Sequence, residues 1–400
     1  MFLNPRADPE RTGVWGALSA AGSDAAIEEI SGWSDYAETP LIALPAHAAR
    51  LGIATLHYKD EAGRFGLGSF KSLGGAYAVF RLLQSTLGKE GAAPAATAAD
   101  LESGRFSRLT SRITVCCAAD GNHGRSVAWG AQKFRCRCVI YLHQHVSAGR
   151  EAAIAAYGAE IVRTPGGYDE SVRRAAADAA QNGWTVVSDT SWPGYEIIPR
   201  DVMHGYTVMA EEVVQRTRTA PPTHVFVQAG VGGVAAAVCA RFAHGFDEAR
   251  PKFIVAEPAR AACLYRSAHE GECARVDIVD ETIMACLSAG EPSPLAWSVL
   301  NRGADAFMTL GEDLAPEAMR ALADGANGDP PIVAGESGAA GFAALTAACA
   351  DPKFRSRLGL RAAARVIVFG TEGATDPHIY AGLVGRHPDE VTRHSLNQHD

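Results

Sequence analysis

The chain lacks the features that mark several large classes of protein. No run approaches the roughly eighteen consecutive apolar residues of a membrane-spanning helix, so we expect no interaction with a membrane. Positive charge is not in excess: the formal net charge is −8, whereas nucleic-acid-binding proteins normally carry a basic face. The first residues, MFLNPRADPERTG, have no apolar core of the length found in secretory signals, and we therefore expect a cytoplasmic protein.

The nine cysteines form neither a disulfide framework nor a metal-binding pattern. Their number is odd, and most lie in apolar runs such as ITVCCAAD. The nearest approach to a zinc motif is FRCRCVIYL, with Cys136 and Cys138, but no pair of His or Cys follows at zinc-ribbon spacing. We predict no metal site.

What the chain does contain is an alternation of short β-branched runs with alanine-rich helical patterns. Strands are predicted at 112–119, 138–143, 159–165, 185–189, 223–230, 252–258 and 364–369, and helices at 122–134, 147–157 and 168–182. Such alternation predicts an α/β fold with parallel sheets built from βαβ units. Ligands bind at the carboxyl ends of such strands, and four of these ends are followed by loops rich in small polar residues: DGNHG, TSWPGY, VGGV and GTEGATDP.

The stretch FGLGSFKSLGGAYAVF, residues 65–80, isolates Lys71 among glycine, serine and apolar residues. Burial would lower the pKa of the Lys71 amine and free its lone pair for attack on a carbonyl carbon. The alternative is a lysine whose apolar stem is buried while its amine stays in water.

The segment VFVQAGVGGVAAAV, residues 225–238, predicts a strand, a glycine turn and a helix of small residues. Gly230, Gly232 and Gly233 let backbone N–H groups converge at a helix start, which favours an anion. A dinucleotide is one candidate, because GVGGVA loosely fits its fingerprint and Glu257 ends the next strand. A single phosphate on a smaller cofactor, or only a tight turn, would also explain the glycines.

Two other loops place polar side chains at strand ends. Asp120, Gly121, Asn122 and His123 open a predicted helix, where they would hold a carboxylate or a hydroxyl, or merely cap the helix. Asp189 ends a strand beside the aromatic residues of SWPGY, where it would recognise an ammonium group or remain a solvated turn aspartate. A buried lysine, a phosphate cradle, an asparagine turn and hydroxyl-bearing strand ends are together the parts that pyridoxal 5′-phosphate requires.

From about residue 30 to 385 the chain resembles the fold-type II pyridoxal-phosphate enzymes, the superfamily of the threonine and serine dehydratases and tryptophan synthase β. The narrower motifs are similar to those of the 2,3-diaminopropionate ammonia-lyases: GRFGLGSFKSLGGAYA, DGNHGRSVAWGAQ, GYEIIPRDVMHGYTVMAEE, TIMACLSAGEPSPLAW and GTEGATDP. The resemblance implies two domains, each with an open, mostly parallel twisted sheet flanked by helices. The large, cofactor-binding domain would comprise 1–110 and 200–400, the small domain 111–199, with the active site between them.

The same resemblance implies how the cofactor is held. Lys71 would carry it as a Schiff base, Asn122 would pair with its ring oxygen O3′, and the loop Gly230, Val231, Gly232, Gly233 and Val234 would bind its phosphate.

The ring nitrogen should meet a hydroxyl. The superfamily often has serine where this chain has Gly370, so Thr371 or Thr375 would supply that hydroxyl here. An uncharged hydroxyl leaves the pyridine nitrogen unprotonated, which suits β-elimination better than transamination.

For the substrate, the resemblance implies that Asp120 is a second acid–base group beside the lysine, and that Asp189 acts on the substrate's amino side. Gly121 and His123 would line the substrate site. Because an amine is a poor leaving group, it must be protonated as it departs, which a carboxylic acid such as Asp120 would do.

The implied reaction is α,β-elimination of 2,3-diaminopropionate, in both D- and L-forms, to pyruvate and two ammonia molecules, by a homodimer. One alternative is a dehydratase or β-eliminase of serine, threonine or another 3-substituted alanine. An alternative of another class is a nicotinamide-dependent oxidoreductase that uses GVGGVA for its cofactor.

Overall fold

The structure is a computed structural model that describes residues 1–8, 17–93, 95–119, 121–326 and 328–396. Its strands are β1 (Phe2–Leu3), β2 (Leu41–Ala43), β3 (Thr55–Asp60), β4 (Thr114–Ala118), β5 (Arg137–His143), β6 (Glu160–Thr164), β7 (Thr185–Val186), β8 (His224–Gln228), β9 (Lys252–Pro258), β10 (Ala306–Leu310) and β11 (Arg365–Gly370). Its α helices are α1 (Ala20–Ser31), α2 (Pro45–Leu51), α3 (Lys71–Lys89), α4 (Ala98–Glu102), α5 (Ser107–Thr110), α6 (Asn122–Lys133), α7 (Ala148–Ala155), α8 (Tyr168–Asn182), α9 (Ile197–Thr217), α10 (Gly233–Phe246), α11 (Cys263–Glu270), α12 (Pro294–Gly303), α13 (Leu314–Asp324), α14 (Ala340–Ala350), α15 (Pro352–Leu358), α16 (Pro377–Val384) and α17 (Pro388–Leu396).

The chain divides into two compact units, each with its own sheet. The first unit comprises Met1–Ala20, Glu38–Ser69 and Met209–Asp400, and the second comprises Ala21–Ala37 and Phe70–Val208. The seven-stranded sheet of the first has the order β1-β10-β9-β8-β11-β3-β2, antiparallel only at the outer pairs β1–β10 and β2–β3. The four-stranded sheet of the second, β6-β5-β4-β7, is wholly parallel. The expected α/β fold with mostly parallel sheets is confirmed.

Each sheet packs against helices through apolar side chains. In the first unit, Phe226 of β8 belongs to a core that also contains Met319 of α13 and Leu345 of α14. In the second unit, Val139 of β5 and Ala175 of α8 lie in a smaller core. All five residues of β8 are buried, as expected for a strand covered on both faces. Within the described ranges, no helix is long and apolar enough to cross a membrane.

The second unit contains more of the chain than the domain expected at 111–199, because α3 packs directly on α6. A Cβ on Gly75 would lie 2.1 Å from Ser126 Oγ, and one on Gly130 would lie 2.7 Å from Ala76 Cα. Helices that approach this closely must carry glycine at the contact. The indole of Trp33, which follows α1, also packs on α6, with its ring centroid 6.1 Å from that of Trp129. The observed unit therefore starts at Ala21 and takes in α3, which the expected domain 1–110 with 200–400 would contain.

Candidate active site

Lys71 is the first residue of α3, and its side chain is only 17% exposed. Its Nζ donates to the carboxylate of Asp189, whose side chain is 18% exposed. Nζ also lies 5.4 Å from the ring centroid of Phe70 and 5.9 Å from that of Tyr206. The amine is thus held between one carboxylate and two aromatic rings, in a place with little access to water.

The charge of Asp189 is set by this contact. Burial acts to raise the pKa of the Asp189 carboxyl, but the charges of Lys71 and His123 and the hydrogen bond from Lys71 outweigh burial and hold it well below its usual range. An ionised carboxylate in contact with an amine favours the ammonium form. From the sequence we expected burial to set the protonation of the Lys71 amine, and that expectation did not include the Asp189 carboxylate.

The position of Asp189 is fixed by the phenol of Tyr195. The Tyr195 hydroxyl donates to Val186 O, at 2.8 Å, and accepts from the backbone N–H of Ser188, at 2.9 Å. The ring of Tyr195 stacks on Trp192, with centroids 4.0 Å apart. The Tyr195 side chain therefore holds the backbone from the end of β7 to Ser188, directly before Asp189.

The helix α6 begins at Asn122, as predicted, with Gly121 as its N-cap residue. The buried His123 ring lies with Nε2 2.8 Å from Val187 O, and because a carbonyl only accepts, Nε2 carries the proton. Its Nδ1 lies 4.0 Å from the carboxylate of Asp189. Burial lowers the pKa of His123. His123 is thus both a packed histidine and a neighbour of the Lys71–Asp189 pair, while Asp120 lies outside the described residues.

The glycine loop lies between β8 and α10, in the first unit. Gly232, the N-cap residue of α10, has a φ of 98°, a region that favours glycine. A Cβ on Gly230 would lie 3.3 Å from Cys286 O and from Leu287 Cα. Gly233 and Val234 form the first turn of the fourteen-residue helix α10, where backbone N–H groups have no intrahelical acceptor. The loop can hold a phosphate on backbone donors alone.

Glu257 does not have the surroundings of a ribose ligand. It is fully buried, and its carboxyl oxygens accept from the backbone N–H groups of Leu264, at 2.8 Å, and Tyr265, at 2.6 Å. Burial, opposed by these hydrogen bonds, raises its pKa to about 8. The acidic side chain that a dinucleotide fingerprint requires therefore caps the first turn of α11 instead.

The two candidate hydroxyls for a ring nitrogen differ in their surroundings. Thr371, directly after β11, is buried, and its Oγ1 accepts from Gln228 Nε2 at 2.6 Å. Thr375 is half-buried, and its backbone N–H donates to Gly373 O at 2.8 Å. The structure therefore places Thr371 at the strand end and Thr375 in the loop beyond it.

Two side chains beside these residues were not predicted from the sequence. Gln228 is the one polar residue in the buried run VFVQAG, and that isolation is a signal that could have been used. Tyr206 lies in a helix, and nothing in its spacing marks it as a neighbour of Lys71. In the part of the chain that the structure describes, no group of three or more His, Cys, Asp or Glu side chains could hold a metal ion.

Comparison with known families and proteins gives consistent matches. The profile of the family described as "Pyridoxal-phosphate dependent enzyme" matches residues 33–370. The diaminopropionate ammonia-lyase of Escherichia coli K12 is 39% identical over 363 residues, which cover 88% of this chain and 89% of that enzyme. The enzyme of the same name from Salmonella typhimurium LT2 is 38% identical over 369 residues, covering 88% of each.

Solved structures agree with these sequence matches. Diaminopropionate ammonia-lyase from Escherichia coli in complex with D-serine aligns with a TM-score of 0.87 at 35% identity, over 97% of both chains. The same enzyme in complex with an aminoacrylate-PLP azomethine reaction intermediate aligns with a TM-score of 0.83 at 35% identity, over 96% of both chains. A threonine deaminase from Solanum lycopersicum, 19% identical with a TM-score of 0.72 over 96% of both chains, shares the fold.

Proposed function

The chain belongs to the pyridoxal-phosphate dependent enzyme family, and on that basis we propose that it is a diaminopropionate ammonia-lyase. It would convert D- and L-2,3-diaminopropionate to pyruvate and two ammonia molecules by α,β-elimination. The observation that carries the proposal is the mostly buried Lys71 amine, held against the ionised carboxylate of Asp189. The whole-length identity of 39% to named ammonia-lyases supports the choice of reaction.

Each unit, considered by itself, contains residues that would hold part of pyridoxal phosphate. In the second unit, Lys71 would offer the amine for covalent attachment, and Asn122, the first residue of α6, would pair with the ring oxygen. In the first unit, the loop from Gly230 to Val234 offers backbone donors for the phosphate, and Thr371 a hydroxyl. We propose that each of these groups contacts bound pyridoxal phosphate.

Bound pyridoxal phosphate would withdraw electrons from the substrate's α-carbon and so make its proton removable. The protein's part is to hold and move protons. The ionised carboxylate of Asp189, which contacts the Lys71 amine in this structure, would hold the substrate's ammonium group. Whenever Lys71 is not attached to the cofactor, its amine would serve as base at the α-carbon, because the rings of Phe70 and Tyr206 limit its hydration.

Departure of the β-amine needs a proton donor. We propose Asp120 for this step, and also as the base for the enantiomer whose α-proton faces away from Lys71. An acid–base pair on opposite sides of the substrate would account for elimination from both D- and L-forms.

The cofactor assignment is tested on the purified protein. We expect a visible absorption band that borohydride abolishes, with the cofactor then fixed to the protein, and no band in Lys71→Ala. Lys133→Ala is the matched control, because Lys133 is also a mostly buried lysine of the second unit, paired with Asp35 at 2.8 Å and Glu102 at 3.0 Å. A colourless wild-type protein, or an unchanged band in Lys71→Ala, would refute the proposal.

The substrate assignment is tested by pyruvate release. We expect kcat/KM for D- and L-2,3-diaminopropionate to exceed that for D-serine, L-serine and L-threonine, with two ammonia molecules per pyruvate. Serine is included among the substrates because the similar structure of the Escherichia coli ammonia-lyase contains D-serine. If serine or threonine were the better substrate, with one ammonia per turnover, the protein would instead be a dehydratase.

We further propose that the enzyme is a cytoplasmic homodimer. The dimer is taken from the resemblance to the family, and light scattering on the purified protein should give twice the chain mass of 42.0 kDa. The location rests on the nine free cysteines, which are typical of a reducing compartment, and fractionation of the source cells tests it.

A further inference from the structure

The phenol of Tyr58 fills the space where a side chain of Gly370 would stand. Tyr58 lies on β3, and Gly370 is the last residue of its parallel neighbour β11. A Cβ on Gly370 would lie 2.0 Å from the Tyr58 hydroxyl oxygen and 2.1 Å from the ring carbon that bears it. Position 370 therefore has no room for a side chain while Tyr58 is present.

The Tyr58 hydroxyl is an unused donor. Tyr58 is 1% exposed, and among the residues that the structure describes its hydroxyl has no hydrogen-bond partner. Burial, followed by the negative charges of Asp60 and Glu372, raises its pKa well above the ordinary value, so the phenol keeps its proton. Buried polar groups in proteins are nearly always paired, so an unpaired buried donor that lies at a ligand-binding edge is available to an acceptor that a ligand brings.

This hydroxyl lies at the edge of the sheet where ligands bind. β11 pairs in parallel with β3 on one side and with β8 on the other, and β8 leads directly into the glycine loop. The carboxyl ends of parallel strands meet at one edge of the sheet. The Tyr58 hydroxyl, at the end of β11, is thus on the same edge as the phosphate-binding loop.

The competing hydroxyl of Thr371 already has one partner: its Oγ1 accepts from Gln228 Nε2, which also donates to Phe369 O at 2.9 Å. Because accepting leaves the Thr371 proton available, Tyr58 is favoured by having no partner of either kind among the described residues. We propose that Tyr58, in the space left by Gly370, donates the hydrogen bond to the pyridine nitrogen of bound pyridoxal phosphate. This inference rests on the proposed function, because it requires the cofactor to bind. It assigns to β3 a cofactor contact that the sequence had placed in the segment after β11.

The test uses Tyr58→Phe, which removes the hydroxyl and keeps the ring. Loss of one neutral hydrogen bond should weaken pyridoxal phosphate binding to the apoprotein about 2- to 12-fold. The apoprotein itself should unfold at the same temperature as wild type or higher, because an unpaired buried hydroxyl has been removed. A purely structural role for the hydroxyl would do the reverse: it would lower the unfolding temperature of the apoprotein and leave cofactor affinity unchanged.

Tyr380→Phe is the matched control. Tyr380 is 1% exposed, lies in the first unit, and its hydroxyl has no partner among the described residues. We expect this variant to bind the cofactor with wild-type affinity.

A rescue pair gives a second, independent arm. Tyr58→Leu should weaken cofactor binding, and adding Gly370→Ser in that background should restore it at least in part, because serine then has room to present a hydroxyl. In the wild-type background, Gly370→Ser should weaken cofactor binding, because the serine Cβ would clash with the Tyr58 phenol.

The outcomes separate the inference from the proposed function. If wild type binds no pyridoxal phosphate, the proposed function fails. If wild type binds it and Tyr58→Phe binds equally well, the inference alone fails. Rescue of the Tyr58→Leu variant by Gly370→Ser supports the inference, and equal effects of Gly370→Ser in both backgrounds overturn it.

Discussion

Replacing Gly75 with alanine should loosen the contact that places Lys71. Gly75 is one turn into α3 from Lys71, and an alanine Cβ would lie 2.1 Å from Ser126 Oγ and 2.9 Å from Ser126 Cβ. The Ser126 hydroxyl now donates to the carbonyl oxygen of Lys71, at 2.7 Å. The added methyl group must displace Ser126, break this hydrogen bond and push α3 away from α6.

The expected cost follows from three opposing effects. Overpacking a filled interior costs about 1–3 kcal/mol. Loss of the Ser126 hydrogen bond adds about 1 kcal/mol. The greater helix propensity of alanine offsets about 1 kcal/mol. Gly75→Ala should therefore lower the free energy of unfolding by about 2 kcal/mol.

Urea unfolding of the apoprotein, followed by circular dichroism, measures this difference. Gly382→Ala is the matched control, since Gly382 lies inside α16 with nothing within 4 Å of its would-be Cβ, and alanine there should stabilise by about 0.5–1 kcal/mol. The double variant Gly75→Ala with Ser126→Gly should be more stable than the sum of the single effects by about 1 kcal/mol, because the clash is removed. A stable Gly75→Ala protein, or strictly additive effects, would show that the helices are not in this contact.

Three further variants test other parts of the two units. Asp189→Asn should lower kcat for pyruvate release about a hundredfold or more, because Lys71 loses its ionised partner; wild-type turnover would contradict this role. Gly232→Ala should lower the free energy of unfolding by about 1–3 kcal/mol, because φ is 98° at this position. It should also weaken the binding of inorganic phosphate and pyridoxal phosphate, and unchanged binding titrations would contradict a phosphate site at this loop. Glu257 has a pKa of about 8, above the usual carboxyl value, so its stabilising contribution is present at low pH and is lost as pH rises toward 8. Between pH 5 and 8, wild type should therefore lose about 1.4 kcal/mol per pH unit relative to Glu257→Gln in urea unfolding, and parallel pH profiles would exclude a raised pKa.

The elements between residues 112 and 189 could be predicted because their periodicity is local. The helix predicted at 168–182 has the bounds Tyr168–Asn182, and the strand predicted at 138–143 starts one residue earlier, at Arg137. The strands β1, β2, β3 and β10 were not predicted. β1 and β2 have two and three residues, too few to show an alternation, and the five-residue run of β10 was not separated from the helical pattern around it.

The candidate site was predictable where one residue type is out of place in its surroundings. Lys71 among glycines and Asp189 at a strand end are of that kind, and the structure brings these two together. The fit of Tyr58 into the space above Gly370 is not visible in the sequence, because the two positions lie on strands far apart in the chain and neither carries an unusual local pattern. The extent of the second unit was missed for the same reason: it depends on how closely α3 and α6 pack.

The fastening of the Asp189 backbone by Tyr195 has a consequence for how this enzyme can change. Because the phenol bonds to Val186 and Ser188 and its ring stacks on Trp192, the backbone before Asp189 depends on both aromatic side chains. Trp192 is nevertheless 43% exposed. A substitution of this surface residue should therefore shift the partner of Lys71 as well. Directed evolution toward new 3-substituted alanines should keep both Trp192 and Tyr195.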